Sequence, residues 1–185
     1  MYCSATGERH CKCLNPLPKV NAARVDFRAA LRKLWTDHAV FDALVLKSII
    51  DGDQDTDFLV VRLKQNQVDI GDEVKEFISE AKGNQLTQLL LEHIKLAGDV
   101  AKAIKANRVL DLRLELYYDN AEEVGEFLLN LGVHDAINMF LDHAQMIYQM
   151  AELRYLKDFA KEIRLYDEYY NQILLMSDMI YQAIL

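Results

Sequence analysis

Three histidines stand in apolar segments of this chain, and each directly follows an acidic residue. The pairs occur at residues 37–38, 92–93 and 142–143. Imidazole binds transition metals, exchanges protons near neutral pH and forms hydrogen bonds through both ring nitrogens. These positions therefore raise three hypotheses: a metal site, an acid–base catalyst, or a buried hydrogen-bond network.

The apolar residues recur at helical spacing from residue 21 onward, and no proline follows Pro18. This pattern predicts six helical segments, at Ala23–Ile50, Asp57–Ala81, Gln85–Ala106, Val109–Leu131, Asp135–Tyr155 and from Lys157 to the C-terminus. Each histidine lies on the apolar stripe of its segment, so we expect all three to point into the core. The acid before each histidine lies about 100° around the helix, and we expect it at the surface.

Two short segments indicate an internal repeat. NQVDIG at 66–71 and NAEEVG at 120–125 share an asparagine, an acid, a β-branched residue and a glycine, and they precede His93 and His143 by 27 and 23 residues. The spacing predicts a helical hairpin with asparagine on its first helix and histidine on its second. The C-terminal helix would complete a further hairpin, with Asp167 in place of asparagine. The predicted polar cluster is then His38, Asn66, His93, Asn120, His143 and Asp167.

This cluster has two main interpretations. In the one we favour, neutral histidines and amides form a buried hydrogen-bond network that fixes helix register. In the alternative, His38, His93, His143 and Asp167 bind a divalent transition metal of the zinc or iron type, while the asparagines orient the imidazole rings. No histidine has an acid three residues before it, so each metal ligand would come from a separate helix.

Catalysis is the least favoured hypothesis for the histidines. The sequence has no glycine-rich phosphate loop, no nucleophile elbow and no cysteine near a core histidine. We therefore assign no catalytic residue and expect a protein that is not an enzyme.

All three cysteines, Cys3, Cys11 and Cys13, lie in the first 20 residues beside His10. Cys-x-Cys is not the usual zinc-knuckle spacing and no second pair is present, so we expect free thiols on a mobile arm. The arm carries one acid and three bases, a net charge of +2. Because the whole chain carries −8, residues 21–185 carry −10. We expect those residues to form a single helical-bundle domain.

The acidic body disfavours nucleic acid and anionic membranes as partners, because both bind through basic patches. No apolar run approaches the roughly 18 residues of a membrane span, and no signal-peptide core is present. These observations predict a location in the cytoplasm, or in a particle assembled there, and protein partners that include further copies of the chain.

Several segments resemble an uncharacterised family of small all-helical proteins associated with spore-forming bacteria and large DNA viruses. The resemblance covers roughly residues 31–184 and rests on LWTDH, NQVDIG, NQLTQLLLEHIKLAG, NAEEVGEFL and YDEYYNQILLMSDMI. It implies an all-helical fold and the importance of these positions, but no chemistry, because the family has no established activity.

Together these observations predict an all-α, antiparallel up-and-down bundle of five to six helices, built from repeated helical hairpins. The predicted function is that of a scaffold or interaction protein, as a structural component of an assembled particle. The alternative function is a metal-binding bundle.

Overall fold

The computed structural model describes residues 22–185. Within this range it contains six helices and no strand, which confirms the all-α prediction. The helices are α1 (Ala22–Asp51), α2 (Thr56–Ile78), α3 (Glu80–Lys105), α4 (Asp111–Leu129), α5 (Ala136–Tyr155) and α6 (Phe159–Ile184). The predicted arm, with Cys3, Cys11 and Cys13, lies outside the described residues.

Helices α1, α3 and α5 contact one another and form the inside of the bundle. Helix α2 packs between α1 and α3, α4 packs between α3 and α5, and α6 closes the ring against α5 and α1. Short connections make consecutive helices antiparallel. Residues 22–185 thus form three hairpins, α1–α2, α3–α4 and α5–α6. None of the helices described is long and apolar enough to cross a membrane.

The three inner helices end in the same way. Fourteen residues after each histidine the chain adopts a positive φ, at Gly52 (81°), Asn107 (50°) and Lys157 (61°). In each case the next backbone N–H bonds to the carbonyl oxygen five residues earlier, at 2.9–3.0 Å. This left-handed cap satisfies carbonyl groups that the end of a helix leaves unpaired. The equal offset from the histidine shows that the repeat unit runs three times along the chain.

The predicted segments end at Ala81 and resume at Gln85, which places a break around Gly83, but Gly83 lies inside α3. Helix α3 begins earlier, after Ser79, whose hydroxyl accepts from the backbone N–H of Lys82 at 3.3 Å. A Cβ added to Gly83 would lie 2.8 Å from the carbonyl oxygen of Gly71 on α2. The glycine therefore permits close approach of two helices and does not end one.

Candidate functional site

The three histidines of the inner helices meet in the core. His38, His93 and His143 are 2%, 3% and 1% exposed. The ring centroid of His143 lies 5.9 Å from that of His38 and 5.6 Å from that of His93. The helical stripes of α1, α3 and α5 bring the rings together because these helices contact one another in pairs.

A side-chain amide from each outer helix bonds to an inner helix at the same relative position. In each case the amide nitrogen donates to the backbone carbonyl oxygen of the residue one turn before a histidine. The pairs are Asn66 to Leu34 at 2.9 Å, Asn120 to Leu89 at 3.4 Å and Gln172 to Met139 at 3.0 Å. We call these three hydrogen bonds the amide latches. Each joins the two helices of one hairpin.

The latches correct the predicted order of the repeat. Asn66 bonds to the helix of His38, not to that of His93, and Asn120 bonds to the helix of His93, not to that of His143. The histidine helix is therefore the first helix of each hairpin. Sequence spacing did not distinguish the two orders, since an outer helix packs against both the preceding and the following inner helix.

The prediction that Asp167 occupies the third amide position is also wrong. Asp167 is exposed on α6, and Gln172, five residues later, forms the latch. Five residues correspond to about 140° around a helix, so the two side chains leave it in different directions. The third hairpin uses a side chain one methylene longer than asparagine, which concealed its equivalence in the sequence.

The hydrogen bond of His93 fixes its protonation. Its Nδ1 lies 2.9 Å from Oδ1 of Asn120, whose nitrogen is directed at the carbonyl of Leu89. The Asn120 oxygen therefore accepts, and His93 Nδ1 donates as a neutral ring. On the first hairpin, Nε2 of Gln67 lies 3.1 Å from both Nδ1 of His38 and Oδ1 of Asn66. Gln67 is a site residue that the sequence did not reveal.

Burial keeps all three rings neutral. Desolvation lowers the pKa of His38 to about 3 and that of His93 to about 4, and it lowers the pKa of His143 well below its usual value. The neighbouring rings depress the pKa of His38 and His143 further, whereas the hydrogen bond to Asn120 opposes the lowering of the pKa of His93. An imidazolium in this core would lack both water and a counter-charge.

One buried carboxyl group, that of Asp42, lies one turn after His38 and was also missed. The hydroxyl of Tyr169 donates to Asp42 Oδ2 at 3.1 Å. Burial raises the pKa of Asp42 to about 7, and the Tyr169 hydrogen bond lowers it. Asp42 lies four residues after His38 and so on the same face of the helix, and this spacing was the feature of the sequence that could have predicted its burial.

Two tyrosines extend the cluster beside the histidines. The ring of Tyr117 lies 4.9 Å from that of His93, and the ring of Tyr169 lies 5.2 Å from that of His143. Burial raises the pKa of both hydroxyls well above its usual value, and the charge of Asp42 raises it further. Each tyrosine precedes its latch amide by three residues, a position that Leu63 fills on α2.

The predicted metal quartet is not assembled. Within residues 22–185 no group of three or more His, Cys, Asp or Glu side chains is placed to hold a metal ion. Nδ1 of His93 is taken up by Asn120, Nδ1 of His38 contacts Gln67, and Asp167 faces solvent. Amides of α2 and α4 thus engage His38 and His93 as the network interpretation requires, whereas His93 Nε2 and His143 Nδ1 have no partner among residues 22–185.

Small residues at a fixed distance from the latch amides occur on all three outer helices, and the two glycines permit close approach to the inner helix of the next hairpin. The small residues lie five residues after each amide, at Gly71, Gly125 and Ser177, all buried. A Cβ on Gly125 would lie 2.5 Å from Cα of Ile137 on α5. The glycines shared by the two sequence segments thus mark contacts between successive hairpins.

Comparisons of the chain with protein-family models, with curated proteins and with solved structures find no match in any of the three. The resemblance to the small all-helical family stays a prediction. The function is therefore inferred from the geometry of the described residues.

Proposed function

We propose that the protein is a non-enzymatic scaffold or interaction protein, a structural component of an assembled particle, whose histidine–amide cluster fixes the register of its helices. The observation that carries the proposal is the burial of the three histidines, which are at most 3% exposed. A substrate does not reach a group of this kind while the bundle is closed. The polar cluster therefore acts on the bundle itself.

The amide latches support the role in register. Apolar helix faces tolerate sliding, because one aliphatic contact replaces another at similar free energy. Sliding α2, α4 or α6 by one turn would separate every latch amide from its carbonyl group. Each buried polar group left without a partner costs about 1–3 kcal/mol, so three latches together favour one register strongly.

An exposed apolar surface supports the role in interaction. Val40, Leu44 and Ile163 are 38%, 40% and 62% exposed and line a groove of about 250 Å³ between α1 and α6. Contiguous exposed apolar side chains of this kind mark protein interfaces. We assign this groove to a second copy of the chain, which agrees with a role in an assembly built from many copies.

Sedimentation of the full chain tests the interaction role. We expect self-association, and we expect the double change Leu44→Glu with Ile163→Glu to abolish it. Val61→Glu is the matched control, since Val61 is 68% exposed on α2, away from the groove. Monomeric behaviour of the unchanged chain at all concentrations, or equal behaviour of both variants, would contradict the proposal.

Elemental analysis tests the structural role of the histidines against the metal alternative. We expect no stoichiometric transition metal in protein purified without chelator and no effect of EDTA on the melting temperature. One metal ion per chain, lost when His38, His93 and His143 are changed to Gln, would overturn the network account.

A further inference from the structure

A cavity of about 340 Å³ opens at the surface between the end of α3 and the start of α4. Its residues fall into an apolar group and a charged group. The apolar residues are Leu96, Ala103 and Leu116, and the charged residues are Asp99, Lys102, Arg108 and Arg113. The cavity combines an apolar floor with three positive charges and one negative charge.

Two of the positive charges lack a carboxylate partner. Asp99 pairs with Lys102 at 3.4 Å, and Arg113 Nη1 donates to the backbone carbonyl of Val109 at 3.1 Å. Among residues 22–185, neither Arg108 nor Arg113 forms an ion pair with a carboxylate. Two guanidinium groups therefore face one cavity with their charge uncompensated.

The equivalent turns of the other two hairpins are built differently. Fifteen residues after the histidine they carry Asp53 and Asp158, where the α3–α4 turn carries Arg108. These aspartates form ion pairs within their own turns, Asp53 with Lys47 at 2.9 Å and Asp158 with Lys161 at 2.6 Å. The repeat thus has a self-neutralised turn at two places and an unpaired cation at the third.

The charge of the whole body limits what the cavity can attract. Residues 21–185 carry a net charge of −10, so a polyanion that covers more than the cavity meets repulsion from the surrounding surface. A small anion meets only the local positive potential. The guanidinium fork matches the oxygen geometry of a carboxylate or a phosphate.

We propose that this cavity binds a small organic anion that carries one carboxylate or phosphate group on a compact apolar body. Arg108 and Arg113 contact the anionic head, and Leu96, Ala103 and Leu116 contact the apolar part. This activity is independent of the register role of the histidine cluster.

Titration of the full chain, followed by amide chemical shifts, tests the proposal with four probes. Hexanoate and hexyl phosphate represent the two head groups, inorganic phosphate lacks the apolar part, and hexanol lacks the charge. We expect saturable shifts confined to the α3–α4 turn with at least one of the two amphipathic anions, and weaker binding of inorganic phosphate and of hexanol. The better amphipathic anion identifies the head group.

The double change Arg108→Gln with Arg113→Gln should weaken this binding by about tenfold or more, because a hydrogen bond to a charged group is worth about that factor and solvent screening reduces the contribution of groups at the surface. The matched control is Lys64→Gln with Arg164→Gln, which removes the same charge from exposed positions outside the cavity. Absence of saturable shifts, equal affinity of both double variants, or equal binding of hexanol would each overturn the proposal.

Discussion

The second and third hairpins use the same latch with different hydrogen bonding to the histidine. Asn120 bonds to both the carbonyl of Leu89 and Nδ1 of His93. Gln172 bonds to the carbonyl of Met139 at 3.0 Å, whereas its Oε1 and the Nδ1 of His143 are buried without a hydrogen-bond partner among residues 22–185. The helix-to-helix latch is therefore the element common to both hairpins, and the bond to the ring is the variable one.

The first hairpin differs from the other two in carrying an acid. One turn after the histidine it has Asp42, where the equivalent positions hold Ala97 and Ile147. The Asp42 carboxyl reaches across to Tyr169 on α6, which joins the first hairpin to the third. At a position that is apolar in the other two hairpins, the first hairpin therefore has a titratable group that contacts another hairpin.

The largest expected difference in stability is between variants of the latch amides in the second and third hairpins. Asn120→Leu conserves side-chain volume but leaves His93 Nδ1–H without a partner and removes the latch to the Leu89 carbonyl, which keeps its bond within α3, so we expect a loss of about 4 kcal/mol of unfolding free energy. Gln172→Leu removes one latch and also an unpaired oxygen, and we expect a loss of about 1 kcal/mol. Chemical denaturation measures both. Equal losses would show that the ring bond of Asn120 contributes nothing.

Asp42 of the first hairpin should make a contribution to stability that falls as pH rises, and the equivalent positions Ala97 and Ile147 of the other hairpins cannot make it. Burial raises the pKa of Asp42 to about 7, above the usual value of 3.8. Its contribution to stability is therefore complete below the unfolded-state pKa and is lost as pH rises through about 7. Asp42→Asn does not ionise, so its stability relative to the unchanged chain should rise by about 4 kcal/mol between acidic and mildly alkaline pH.

Tyr169→Phe provides the control for this pH effect. Its hydroxyl bond lowers the pKa of Asp42, so its removal should raise that pKa further and move the loss of stability to higher pH. Denaturation midpoints measured across the pH range follow both variants. A pH-independent difference between Asp42→Asn and the unchanged chain would contradict a buried carboxyl that titrates near neutrality.

A smaller effect on stability distinguishes the two positions five residues after a latch amide, Gly125 on α4 and Ser177 on α6. Gly125→Ala places a Cβ 2.5 Å from the backbone of Ile137, and we expect a net loss of about 2 kcal/mol after the gain in helix propensity. Ser177 already has a Cβ at the equivalent crossing, and its buried hydroxyl has no partner among residues 22–185. Ser177→Ala should therefore change stability by less than about 0.5 kcal/mol. Thermal denaturation compares the two, and a larger loss at Ser177 would contradict the equivalence of the crossings.

Periodicity predicted the helices and their buried faces because each helix covers only one stripe of core. The burial of His38, His93 and His143 followed from that pattern alone. The histidine helix to which each asparagine bonds could not be predicted. Asn66 lies nearly equally far in sequence from His38 and from His93, and its helix α2 contacts both α1 and α3. Distances in sequence do not distinguish two neighbours on a closed ring.

The residues that were missed carry different signals. Asp42 shares a helix face with His38, but an acid in that position is more often solvated than buried. Gln172 follows the acids Asp167 and Glu168 by five and four residues, and these acids drew attention away from it. The feature it shares with the asparagine segments is a small residue five positions later, Ser177. The spacing from amide to small residue identifies the third repeat better than the amide type does.

The central claim is that three neutral histidines lie together in the buried core beside the amide latches, and nitrogen NMR of the histidine side chains tests it most directly. We expect His38, His93 and His143 to remain neutral down to about pH 5, with the proton of His93 on Nδ1, because burial lowers the pKa of all three. Single His→Gln variants assign each signal and separate it from those of His10 and the exposed His134. Protonation of any of the three near pH 6.5, or a His93 proton on Nε2, would contradict the account.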